Sequence, residues 1–433
     1  MVKTARLERV VVVLAAAVPL LASAADAQFS VDVGVGTSNN IERVADGGKS
    51  ETIGSVGTQF SALHQSSRLY ADLTGDLAWF QYSGSAYDSE LVGTVNAATR
   101  IGLIEERLTW SLSDSFGQTR RDLFAAPSPL NRENINYAAT GPNLRLRLGS
   151  ELELIAQVRY ALVSYEKSPL DTTRKSALVG LQHQLASAAT VSLNASRERV
   201  EPQGAAAFES YDRDEAYVRY SGKGARTTLS LDAGGSRVDQ AGSIDSGALL
   251  RLELSRKVGG WSTLTAKLGR VQTDAAGAMQ NGGEQNLPTA TLDTQSLSQT
   301  AAPYVDTFVN LGWQINGRVT SLNLGAGWAD ENYDGVSAQD RKRSDFSATV
   351  TRALGPRLSA KAALQYSRYD YRQVAGDNDS KGADLGLSWR LGRRLSAEIS
   401  GSYYRYSSEA VVGNATEQRY WLRLRYGDSI SGR

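Results

Sequence analysis

The chain runs to 433 residues, with 47 lysines and arginines against 46 aspartates and glutamates and a formal charge of +1. So even a balance leaves no global field to recruit nucleic acid or an acidic partner. Cysteine is absent and the two histidines are His64 and His183, so a disulfide framework and a Cys/His metal centre are excluded by count.

In chain order, Lys3, Arg6 and Arg9 make a basic start, 10–21 is an apolar run, and Ala25-Asp26-Ala27 forms a small-x-small site before Gln28. This is the form of a secretory signal peptide, whose core is shorter than the roughly 20 residues a spanning helix needs. Residues 1–27 are read as signal peptide, with cleavage after Ala24 as the alternative, and 28–433 as the exported protein. An exported chain of this size without disulfides must be held together by another device. Tyrosine (19) outnumbers phenylalanine (8), and rings with one polar edge suit a membrane interface.

From Phe29 onward the pattern has a period of two. Phe29, Val31, Val33 and Val35 share one face, then Leu69, Leu73, Leu77 and Trp79. The same alternation returns at Leu154 and Val158, at Leu250, Leu252 and Leu254, at Leu322, Leu324 and Trp328, and at Leu385, Leu387 and Trp389. Polar residues fill the positions between. Such alternation marks strands with one apolar and one polar face.

Short turns are read at 66–68, 104–106, 149–151, 187–189, 222–224, 259–260, 316–317, 355–356 and 392–394. Between them lie longer polar loops at 38–51, 84–90, 119–132, 168–173, 202–210, 239–245, 275–302, 334–340, 373–380 and 408–415. Asn316-Gly317 carries the signature of a two-residue hairpin. A soluble propeller would show a blade-length repeat, and none is present. Short turns on one end and long loops on the other are the habit of bacterial outer-membrane barrels. Closure also satisfies every backbone hydrogen bond in lipid. The expectation is an all-β, transmembrane, antiparallel up-and-down β-barrel of about 20 strands, with roughly 18 to 22 as the range.

The faces follow from parity. In YWLRLRYG (420–427) the leucines, with Tyr420 and Tyr426, point to lipid, and Arg423 and Arg425 point to a water-filled lumen, because a midplane arginine in lipid costs about 2–4 kcal/mol. The same rule gives sixteen pore-lining residues. Ten are basic: Arg145, Arg147, Arg159, Arg219, Arg251, Lys267, Lys361, Arg390, Arg423 and Arg425. Six are acidic: Asp72, Asp76, Glu253, Asp306, Asp384 and Glu398. Asp32 and Asp232 share their phase, and Asp32 is expected beside Arg423 or Arg425 where the barrel closes. The plain alternative is that these charges pair with one another and only solvate the interior. A barrel of about 20 strands is too wide for side chains alone to fill.

Catalytic chemistry is missing. Both histidines fall on the outward phase near short turns, without a serine or acid to make a sheltered base. Asp377, Asn378 and Asp379 are read as a solvated turn, and no metal or cofactor is expected. Gly34-Val35-Gly36 lacks the third glycine and the helix of a dinucleotide fingerprint. The first strand is expected within a few residues of the cleavage site, which leaves no room for a plug domain and speaks against a TonB-dependent receptor. Tyr70, Tyr217 and Tyr404 fall on the lumen phase, where tyrosine can stack on sugars.

The stretch ENYDG (331–335) and the run RKRSDFSATVTRALGPRLSAKAALQYSRYDYRQ (341–373) carry a resemblance. With Tyr366, Arg368 and Asp370 at a strand end, they resemble the outer-membrane β-barrel porins of the second type, a family associated with exopolysaccharide export clusters. The last residues, 428–433, depart from the terminal aromatic common in such strands. The resemblance implies a porin of the bacterial outer membrane, not an enzyme, passing a hydrophilic solute and serving polysaccharide export. Its partners would be outer-membrane lipid, a polysaccharide chain and export-machinery proteins, with a monomeric barrel. The class-level alternative is a structural or adhesive barrel with a plugged lumen. The loop at 275–302 holds only two charges, Glu284 and Asp293; it is expected to fold inward and narrow the outer mouth.

Overall fold

A computed structural model gives the fold. It describes residues 26–428 apart from 85–86, 123, 127, 205–208, 278–301, 334–338, 374–376 and 409–412. The alternating segments form twenty strands. The first five are β1 (Asp26–Ser38), β2 (Glu51–Gln65), β3 (Leu69–Tyr82), β4 (Glu90–Ile104) and β5 (Leu108–Arg120). A single 3-10 turn (Pro129–Asn131) precedes β6 (Arg132–Arg147), followed by β7 (Leu152–Tyr165), β8 (Thr172–Ala186), β9 (Ala189–Pro202) and β10 (Tyr211–Lys223). Next come β11 (Thr227–Gln240), β12 (Ser243–Lys257), β13 (Ser262–Thr273), β14 (Tyr304–Asn316) and β15 (Thr320–Tyr333). The set ends with β16 (Arg341–Ala353), β17 (Leu358–Tyr371), β18 (Asp377–Arg390), β19 (Leu395–Ser408) and β20 (Gly413–Gly427).

Each strand pairs antiparallel with the next, and β20 returns to β1 with Ser30 opposite Gly427 and Ser38 opposite Arg419. The sheet is therefore a closed up-and-down barrel with no free edge. At the seam Arg425 reaches Asp32 at 3.9 Å, which is the neighbour expected there.

Parity holds over most of the wall; Asp114 is an outward exception, opposite Ala97 and accepting from the Asn136 amide at 3.2 Å. Tyr420, Leu422 and Tyr426 stand outward and exposed, and Arg423 and Arg425 alternate with them on the inner face. Outward rows elsewhere carry exposed Val33, Trp79, Leu193, Leu385 and Ile399, an apolar belt of the kind that faces lipid. Two glycines make room for rings. A Cβ on Gly36 would sit 2.5 Å from the Trp421 indole on the inner face, and one on Gly75 would sit 2.2 Å from the Phe60 ring on the outer.

Three local expectations are corrected. The loop expected at 239–245 is a two-residue reversal, with Ala241 and Gly242 at φ 53° and 83° joining Gln240 to Ser243. Asn316-Gly317 does not make such a turn: Asn316 pairs with Ser321, and the Gly317 N–H donates to the Thr320 carbonyl at 2.9 Å. Left-handed conformation at both central residues selects the tight hairpin, and here Ala-Gly adopts it where Asn-Gly does not. Asp377, Asn378 and Asp379 are strand residues of β18 rather than a turn, so successive side chains point to opposite faces.

Residues 1–25, which hold most of the expected signal peptide, lie outside the described residues. Processing after Ala27 would trim the start of β1, where Asp26 and Ala27 lie opposite Leu63 and Ala62. N-terminal sequencing of the mature protein is expected to begin at Gln28. A start at Ala25 would mark the alternative and keep the strand whole.

Candidate functional site

The inner wall changes character along the barrel axis. Among the described residues at the long-loop end, parts of three connections turn into the lumen and pack there.

The β1–β2 connection carries Ile41 and Arg43, both almost fully buried. Ile41 packs with Ile53, Phe80, Tyr87 and Trp421. The Arg43 Nε donates to Glu417 at 2.8 Å, and its guanidinium lies 3.5 Å over the Tyr404 ring. Glu417 also accepts from Ser38 at 2.5 Å and from Arg419. A carboxylate with this many donors survives burial that would otherwise be costly.

The β5–β6 connection is tied into a knot by Asn131. Its side chain accepts from the Asp122 N–H at 2.7 Å and donates to the carbonyls of Asp122, Ala125 and Ala126. The knot reaches the far arc of the ring. Phe124 lies 4.7 Å from the Tyr371 ring, the Tyr406 hydroxyl donates to the Phe124 carbonyl at 3.0 Å, and Ala126 packs on Tyr406 and Ala415.

The third connection follows β13. Residues 274–277 turn inward, and Ala276 packs against Ile135, Tyr137, Val163 and Tyr165 on β6 and β7. Asp274 is completely buried. It pairs with Arg174 of β8, accepts from the Tyr211 hydroxyl of β10 at 2.6 Å, and accepts from its own Gly277 N–H at 2.7 Å. Burial alone would raise this carboxyl, but the Arg174 charge and the two donors hold it below the usual carboxylate range. The chain is thus latched to a wall several strands away.

The wall beneath these loops is also paired at this end. Glu331 binds Arg341 at 2.8 Å and accepts from Tyr333 at 2.7 Å, and Arg132 forks onto Glu90. Towards the short-turn end the inner face opens. Side chains of Arg145, Arg147 and Glu253 are 60, 72 and 57% exposed, and Lys361 and Arg390 are exposed as well.

All sixteen residues selected by parity point to the inner face, and the structure pairs most of them. Arg219 places both arms on Asp232 at 2.7 Å, and Arg251 reaches Glu215 at 2.8 Å. Lys267 faces Glu253, Arg423 faces Glu398 and Arg145 faces Glu153, each at 3.9 Å. Arg147 meets Glu106 at 3.2 Å. Neutral donors serve the remaining carboxylates: Tyr70 for Asp72, Gln59 for Asp76 and Ser402 for Asp384. Asp306 belongs to the closed end, opposite Glu331. Arg159 donates to the carbonyls of Pro142 and Val158.

Tyr70, Tyr217 and Tyr404 are inner-face residues, but arginines already lie over their rings. Arg100 is 5.8 Å from Tyr70, Arg219 and Arg251 are 5.4 and 5.7 Å from Tyr217, and Arg43 covers Tyr404. His64 and His183 face outward, the latter 3.9 Å from Glu151. Among the described residues no cluster of His, Asp and Glu is arranged to hold a metal. Parity could not find the inward loops, although apolar Ile41 and Phe124 inside polar stretches were their signal.

Residues 288–427 match the model of a family described as "Putative beta-barrel porin 2". The match spans β14 to β20, and that part of the wall is similar to this family. No curated protein matches the chain. Among solved structures it is similar to the FrpB iron transporter from Neisseria meningitidis, at 12% identity and a TM-score of 0.44, over 95% of this chain and 83% of that one. It is likewise similar to the siderophore receptor PirA from Pseudomonas aeruginosa, at 12% identity and a TM-score of 0.43, over 93% and 80%. PirA from Acinetobacter baumannii gives 9% identity and 0.42, over 93% and 80%. Likeness at this level carries no argument about function.

Proposed function

We propose that this porin is a gated channel of the bacterial outer membrane, with its short turns in the periplasm and its long loops outside. The observation that carries this reading is the gradient along the inner wall. Charged side chains are exposed at the short-turn end, whereas Arg43, Asp274 and Glu417 are buried under infolded loops at the other. A filled, purely structural barrel would bury its inner charges along the whole axis, because low dielectric penalises them wherever water is missing. Barrels of sixteen to eighteen strands leave an aqueous channel and those of twenty-two a plugged lumen; a twenty-stranded barrel closed only at its mouth lies between the two. The solute is hydrophilic. A polysaccharide chain leaving the cell is the solute class implied by the family resemblance, with export-machinery proteins as partners and the barrel acting as a monomer. Passage rather than chemistry is the role that the family resemblance implies.

Planar-bilayer recordings test this. The intact porin is expected to conduct rarely and briefly, and deletion of 280–299 is expected to raise conductance and weaken gating. Silence in both forms would overturn the channel in favour of a plugged barrel.

A further inference from the structure

We propose that the vestibule at the short-turn end selects anionic solutes, molecules or chains bearing carboxylate, phosphate or sulfate groups. This rests on the channel reading above. Cations engage Asp232, Glu253, Glu398 and Asp32; neutral donors serve Asp72, Asp76 and Asp384, and of these three Asp72 alone stands within four residues of the short-turn end of its strand. Four inner-face cations of this half are not so engaged, from Arg390 at the end of its strand to Arg159 seven residues in. Arg100, Arg159, Lys361 and Arg390 have no carboxylate within 4.0 Å among the described residues.

Their placement makes the excess matter. They stand on β4, β7, β17 and β18, on both arcs of the ring. Lys361 and Arg100 lie three and four residues in from the ends of their strands rather than at the rim, and both are exposed. Arg159 spends its donors on neutral carbonyl oxygens, so its charge is undiminished. The whole chain carries only +1, so this surplus is a matter of local placement and not of overall composition. Low-dielectric walls around a water-filled cleft focus such a field and raise the local concentration of counter-charge. Rings of lysine and arginine set anion preference in pores for the same reason.

The test is the reversal potential of the 280–299 deletion form across a potassium chloride gradient. Chloride is expected to be the more permeant ion. Lys361→Glu with Arg390→Glu is expected to abolish or reverse that preference while conductance and heat-modifiable migration persist. Should the glutamates impair assembly, Lys361→Gln with Arg390→Gln is expected to weaken it. A potassium preference in the parent form, or an unchanged reversal potential in a folded charge variant, would refute the selectivity while leaving a channel. Absence of current in every form would remove the channel and this inference with it.

Discussion

Asp274→Ala is expected to open the proposed channel more than about tenfold as often as the parent in planar bilayers, since every 1.4 kcal/mol is a factor of ten in a two-state population. Breaking a buried ion pair by removing one partner costs about 3–5 kcal/mol, because the other charge is left uncompensated. Here the stranded group is Arg174, which keeps only Glu198 at 3.5 Å. The Tyr211 hydroxyl and the Gly277 N–H lose their acceptor in the same step. Both consequences weaken the closed form and leave the barrel strands untouched. The pH dependence has a definite sign. A carboxyl held below its unfolded value contributes stability above that value and loses it as pH falls through the depressed one. Acid opening is therefore expected only below the ordinary carboxylate range, and Asp274→Ala should remove this latch's share of it while the buried Arg43–Glu417 pair keeps its own. A variant that gates like the parent at neutral pH would show that the latch does not hold the mouth.

Leu252→Arg is expected to impair assembly, read as a weakened heat-modifiable folded band. Leu252 lies on the outward face five residues from the end of β12, deep in the apolar belt, where an arginine costs about 2–4 kcal/mol. Its neighbour on the other face should behave differently. Arg251→Leu removes the contacts at 2.8 and 2.9 Å to Glu215 and the longer one to Asp232. Asp232 retains both arms of Arg219, and Glu215 retains Arg213 at 3.9 Å. That variant is expected to assemble with a stability loss of about 1–3 kcal/mol, the penalty of a partly unsatisfied buried acceptor, measured as a lowered unfolding midpoint. Equal assembly of the two variants would contradict the assignment of faces.

The faces, the strand number and the closing pair Asp32–Arg425 were legible because a period of two forces every side chain onto one wall or the other. YWLRLRYG alone states which wall is wet. Turn chemistry was less legible. Ala241-Gly242 makes the tight reversal that Asn316-Gly317 was expected to make, since register with neighbouring strands outweighs local preference. The latches could not be read at all. Asp274 meets Arg174 across a hundred positions of sequence, and Phe124 meets Tyr371 across the ring. Contacts of that kind arise only once the barrel has closed and brought distant loops over one mouth. Charge pairing fell between these extremes: parity put Arg219 and Arg251 on the inner face, but their convergence on Asp232 depends on strand stagger.

Because the chain has no cysteine, a single introduced thiol gives a clean test of a lumen open below and closed above. Lys361→Cys places one on the exposed inner face near the short-turn end. A bulky, membrane-impermeant maleimide is expected to label it in outer-membrane fragments, where the periplasmic side is accessible, and to leave it unlabelled on intact cells. Adding Asp274→Ala should admit the reagent from outside. Labelling of the single variant on intact cells, or no labelling from either side, would contradict a periplasm-facing vestibule closed by its outer loops.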